Sequence, residues 1–269
     1  MARKLIKLPS MSRVVAGATA TLELPLGPTY HRIIFSASGT GLAAADIGRI
    51  SLYIDGRLAS TWKNYQRLAD INGYYQRGTD AVTQFCLHFF RAELVDLVYR
   101  RAPGIGTADV QTAHIEIELD GDGPNDIAMT AHAEIDPRPA PLGAFVKTRE
   151  YPFSSSVSGE VEIDKLPRGP WYAAIHLFKS NISAVEVAAD QTKVVEATKA
   201  VLERQQKEAS PVPRVPVTGS ATHIDWLTEG DLAQAINTSR VQDFRVKATL
   251  DTSGSVDIVT ETLDTLTGA

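Results

Sequence analysis

Residues 119–127 read LDGDGPNDI, and Asp120, Asp122, Asn125 and Asp126 fall within seven positions of one another. Oxygen donors at this density suit calcium, which takes about 6–8 oxygen ligands. The same residue types also build tight turns, because Asp, Asn and Gly tolerate left-handed backbone and cap their own amides. An EF-hand would need a bidentate acid at its twelfth loop position, which counted from Asp120 is Ala131. The flanking patterns read as strands and not as helices. Asp120, Asp122 and Asp126 are therefore candidate calcium ligands at a surface loop, or else the polar residues of a turn.

The other residues that could carry chemistry are scattered. The histidines are His31, His88, His114, His132, His176 and His223, with no HExxH, His-x-His or Cys/His zinc spacing among them. Most lie in strand-like runs, where packing is the simpler role. Cys86 is the one cysteine, so no disulfide can form within the chain, and in QFCLHFF it reads as a small buried hydrophobe. There is no Gly-x-Ser-x-Gly elbow and no Walker motif, and SGTG at 38–41 is a bare Gly-x-Gly turn. Glu116 and Glu118 share one strand face and read as a solvated surface. No catalytic set and no cofactor site emerges. Calcium is the one ion worth considering, and a non-enzymatic protein is expected.

The elements that would hold these residues belong to a chain of 269 residues, 43% hydrophobic and 22% charged, which can bury a sizeable core. A net charge of −5 counts against a dedicated nucleic-acid binder. No apolar run reaches the ~20 residues of a membrane span. The segment MARKLIKLPSMSR has no signal-peptide pattern, but it carries Arg3, Lys4, Lys7 and Arg13 ahead of the first acid, Glu23. Such a basic arm suits an anionic surface as well as a solvated terminus.

The two halves resemble each other. LELPLGPTYHRIIF has its counterpart in VEIDKLPRGPWYAAIHLF, with Tyr30 matched to Tyr172. Asp55 aligns with Asp190, each ending a short strand ahead of a helical pattern; His88 aligns with His223; Asp120 and Asp126 align with Asp251 and Asp257. Order is kept while loop lengths drift, as in a duplicated fold. Runs such as HIEIELD and FRVKATL alternate with period two, the mark of half-buried antiparallel strands. A helix is expected from Lys193 to about Lys207. The proline run DPRPAPLG marks the joint. The expected fold class is all-β with a few short helices: two tandem jelly-roll β-sandwiches, over residues 1–139 (with the basic arm) and 140–269.

With AGATATLELPLGPTYHRII, LYIDGRLASTWKNYQRLADI, WYAAIHLFKSNISAVEV and IDWLTEGDLAQAI in view, the chain resembles the double jelly-roll major capsid proteins of icosahedral viruses with an internal membrane, most closely the corticovirus type. The resemblance implies a structural protein that forms pseudo-hexagonal homotrimers and then a capsid lattice. It also implies neighbouring capsid or vertex proteins, calcium associated with the lattice, and an internal membrane that the N-terminal arm could touch. No specific nucleic acid is expected as a partner. The rival readings are a tandem β-sandwich carbohydrate-binding protein, which would need an exposed aromatic platform, and a jelly-roll metalloenzyme, which would need a ligand set. Trp62, Trp171 and Trp226 all fall in core-like patterns, against the first rival.

Overall fold

The computed structural model describes residues 3–78, 80–217 and 219–268. The chain divides into two units. The second holds Lys147–Ala269 together with two short pieces of the first half, Tyr74–Gln76 and Glu93–Asp96.

Unit 1 begins with β1 (Lys4–Lys7), β2 (Thr19–Glu23) and β3 (Thr29–Ser38). β4 (Ile47–Ile54), β5 (Arg57–Trp62), α1 (Tyr65–Tyr74) and β6 (Gln84–His88) follow. α2 (Leu97–Arg101), β7 (Ile105–Gly106), β8 (Ala113–Leu119) and β9 (Ala128–Asp136) complete it. One sheet is ordered β1-β9-β3-β6, with β7 also on β3; the other is β2-β8-β4-β5. Alternation decides which face is buried. In β8 Ala113, Ile115, Ile117 and Leu119 point inward, while His114, Glu116 and Glu118 point away.

Unit 2 repeats the plan. Its strands are β10 (Phe145–Ser155), β11 (Gly159–Ile163), β12 (Trp171–Phe178) and β13 (Ile182–Ala189). β14 (Thr192–Thr198), α3 (Lys199–Lys207) and β15 (Thr222–Asp225) follow, then β16 (Ile236–Asn237), β17 (Phe244–Leu250) and β18 (Gly254–Asp264). The sheets run β10-β18-β12-β15, with β16 also on β12, and β11-β17-β13-β14. Strand for strand this is the order of unit 1, four plus four in the manner of a jelly roll. The core of unit 2 gathers Val161, Ile163, Ile175, Leu177, Val185, Val187, Val246 and Ile258.

The duplication extends to single hydrogen bonds. The Tyr30 hydroxyl donates to the Pro25 carbonyl at 2.6 Å, and Tyr172 donates to Pro167 at 2.7 Å. The Thr107 hydroxyl donates to Pro28 O and accepts from Gly27 N–H; Thr238 does the same with Pro170 O and Gly169 N–H. These bonds satisfy backbone groups where the chain enters β3 and β12, groups that proline turns leave without ladder partners. Asp55 and Asp190 also act alike. Asp55 Oδ1 accepts from the amides of Gln111 and Thr112, and Asp190 Oδ1 from those of Gln242 and Asp243.

Several expectations change. Asp55 and Asp190 do not lead into helices. Asp55 and Gly56 have φ of 49° and 70°, and Asp190 and Gln191 have 48° and 68°. Two consecutive positive φ values make the two-residue hairpin turn that matches strand twist, so each Asp is followed by another strand. Residues 192–198 thus pair with β13, and the helix begins at Lys199 instead of Lys193. The β-branched Val194, Val195 and Thr198 favour that outcome. The division falls after Val146, later than the 139/140 boundary read from the sequence. The proline run stays with unit 1 because Ala108 N–H donates to Ala140 O and Leu142 N–H to Asp109 Oδ1. It also packs tightly there: a Cβ on Gly106 would collide with the Pro141 carbonyl oxygen.

Candidate functional site

The acidic loop joins β8 to β9. Asp120 Oδ1 accepts from the Asp122 amide at 2.9 Å, and the Asp120 amide donates to Asp46 O. Asp126 turns to another loop: its two oxygens take the amide and hydroxyl of Thr40 at 2.9 and 2.7 Å. These bonds hold its carboxyl below the usual carboxylate range. Asp120 and Asp126 are thus engaged as turn caps. Among the described residues, no group of three or more acidic, His or Cys side chains is placed to hold a metal. The three aspartates sit in one loop without forming a ligand set.

The basic arm is not a loose terminus. β1 is the edge strand beside β9, and Arg3 donates to Glu134 at 2.7 Å. Leu8 is buried, while Lys4 and Lys7 remain exposed and Leu5 is 65% exposed. Cys86 is buried, and burial pushes its thiol up to about 12. Burial, with Arg3 beside it, lowers His31 to about 4. Trp171 is 40% exposed instead of packed in the core.

Among the described residues, fully buried titratable side chains converge in a layer of unit 2, on the side of sheet β10-β18-β12-β15 that faces away from the hydrophobic core. His176 on β12 and His223 on β15 are register partners, and their Nδ1 atoms lie 2.8 Å apart. Glu261 on β18 places Oε2 3.7 Å from His176 Nε2 and accepts from the Tyr75 hydroxyl at 2.5 Å. Tyr74 stacks on His223 with ring centroids 4.1 Å apart and directs its hydroxyl at Asp225. Burial and the Asp225 charge raise Tyr74 well above the usual phenol range. Arg214 Nε meets Asp225 Oδ2 at 2.8 Å, with both side chains fully buried. Nη1 and Nη2 donate to Val212 O and Leu227 O. Enclosed in this way, the layer offers no room for a substrate; what it can do is hold protons and fix segments in place.

Register also corrects the pairing of histidines across the halves. The bulge at Tyr30/Arg32 matches the bulge at Tyr172/Ala174. On that frame Ile34 corresponds to His176, and their partners Cys86 and His223 correspond to each other. His88, opposite Arg32, occupies the place of Asp225, not that of His223. The sequence match was two residues out of register. Arg214, Tyr74, Tyr75 and Glu261 escaped sequence reasoning; the one signal was an arginine alone in the proline run SPVPRVP.

Two jelly rolls of the same strand order in one chain are the arrangement of the double jelly-roll viral capsid proteins. The structure superposes on the major capsid protein P2 of bacteriophage PM2 with a TM-score of 0.89, 27% identity and full coverage of both chains. It matches the atomic structure of Sulfolobus turreted icosahedral virus with a TM-score of 0.70 at 13% identity, over 98% of this chain and 91% of that one, a likeness of fold alone. In sequence the chain is 30% identical to the major capsid protein P2 of Pseudoalteromonas phage PM2, over 96% of each. The Viral coat protein P2 N-terminal domain matches residues 5–136 and its C-terminal domain residues 145–266. The chain belongs to the viral coat protein P2 family. It is a non-enzymatic structural protein of the virion, located in the capsid.

Proposed function

We propose that three copies of the chain close into a trimeric capsomer of pseudo-hexagonal outline, which then tiles the shell. The observation that carries this reading is the same strand order occurring twice in one chain. Three chains supply six similar units, and heterologous contacts closed by a threefold axis leave no unpaired edge. Six similar lobes suit six neighbours in a lattice. Contacts with other capsid or vertex proteins belong to the same proposal. Light scattering tests it: a trimer has three times 29.1 kDa, or 87.3 kDa. A strictly monomeric mass at high concentration rejects it.

A membrane role for the N-terminal segment rests on the exposed Lys4, Leu5 and Lys7 of β1. Deleting residues 1–13 would remove a strand from the sheet, so charge reversal is the cleaner test. The Lys4→Glu/Lys7→Glu variant should float less with anionic vesicles while retaining its oligomeric mass. Unchanged flotation would remove this role.

A further inference from the structure

The hydrogen bonds around the two buried histidines fix where each proton sits. The Val217 amide donates to His223 Nε2 at 3.2 Å. A backbone N–H cannot accept, so that nitrogen carries the lone pair. Neutral His223 therefore has its proton on Nδ1 and donates it to His176 Nδ1, 2.8 Å away. His176 then bears its proton on Nε2, facing Glu261. The donors run in one direction, from Val217 through both rings, and the last N–H, on His176, faces Glu261 Oε2 at 3.7 Å without a hydrogen bond to it.

An added proton has no quiet place in this chain. On His223 Nε2 it points at the Val217 N–H. On His176 Nδ1 it points at the Nδ1–H of His223. With a proton on both nitrogens of His176, His223 would have to move its own proton to Nε2, and the conflict returns to Val217. Two donors pressed together in a dry site lose a hydrogen bond and repel.

Val217 belongs to the run that holds the first-half segment in place. Val215 N–H donates to Tyr74 O at 2.9 Å, and Gln76 Nε2 donates to Pro213 O at 2.8 Å. Gln206 on α3 ties the same region down, accepting from the Arg214 amide and donating to His223 O. We propose that the His176–His223 pair is an acid-sensitive latch: while both rings are neutral it holds the Tyr74–Gln76 segment and the Arg214–Val217 run on unit 2, and it releases them when it takes up a proton.

The surroundings set the direction. Burial drives His223 well below the ordinary imidazole range; His176 and Lys199 of α3 push the same way, against Glu261. Asp225 on β15 is neutralised by Arg214, Lys147 on β10 is paired with Asp264, and Tyr74 and Tyr75 are phenols that stay protonated at acid pH. Above about pH 6.5 the latched and released states bind protons alike and the latch is at full strength. Below that value the released state binds protons that the latched state refuses, so release grows about tenfold per pH unit for one such histidine.

Amide exchange of the full-length chain, corrected for intrinsic rates, tests the latch. Peptides spanning Tyr74–Gln76 and Arg214–Val217 should exchange about tenfold faster for each pH unit below about 6, while peptides from β4 and β8 keep their protection. The His176→Gln/His223→Gln variant, which has no ring to protonate, should show a flat profile in the same peptides. Protection that persists in the wild-type chain to about pH 5, or that falls equally in β4 and β8, overturns the proposal. So does an undiminished acid response in the double variant. If that variant does not fold, the comparison of the two units in the wild-type chain decides.

Discussion

Glu134 in unit 1 and Glu261 in unit 2 stand at the same place in the fold, each just past the matching bulge. Their surroundings differ. Glu134 accepts from Arg3 and forms an ion pair with Arg32, both partly exposed and both at 2.7 Å. Glu261 is 2% exposed and takes a tyrosine hydroxyl, with a buried histidine beyond. Next to Glu134 the register pair is Ile34 and Cys86; next to Glu261 it is His176 and His223. The inner faces and the turn bonds were kept across the two units, and the outer face of one sheet was not. In unit 2 that face is covered, and polar groups beneath a cover must find partners among themselves.

The largest effect should separate the two units most clearly. Arg214→Met leaves the Asp225 carboxylate buried without its cation, which costs about 3–5 kcal/mol. Glu134→Gln, in the half-exposed counterpart network, should cost about 1 kcal/mol or less. Urea unfolding of both variants measures the difference, and equal losses would erase the distinction drawn here. A smaller effect should be shared. Tyr30→Phe and Tyr172→Phe each remove one hydroxyl-to-carbonyl bond and should each cost about 1 kcal/mol. A loss confined to one of them would show that the corner bonds have diverged too. The smallest effect concerns the acidic loop. Asp122→Ala should leave the melting temperature unchanged, with or without added calcium, because no ligand set forms around it. A calcium-dependent rise in the wild-type chain that the variant lacks would restore the metal reading.

Much of the sandwich was legible from short-range pattern. β8 and β17 alternate with period two, and each alternation is visible in seven residues. β5 and β14 were not legible as strands. Their runs also fit a helical spacing, and the choice was made by hairpin turns at Asp55-Gly56 and Asp190-Gln191. The match of Tyr30 with Tyr172 held because both close the same corner bond. The match of His88 with His223 slipped by two residues because strand register depends on partners far along the chain. The buried layer lay out of reach for the same reason: Tyr74 meets Asp225 across 151 residues, and Tyr75 meets Glu261 across 186. The acidic loop was legible as turn chemistry, but the engagement of Asp126 by Thr40 was not.

The proposed trimer sets six similar units, two from each coat-protein chain, around one axis. Negative-stain electron microscopy of the purified chain tests it most directly. The account predicts class averages with six lobes arranged about a threefold axis. Averages that show only single, two-lobed chains at every concentration would contradict it.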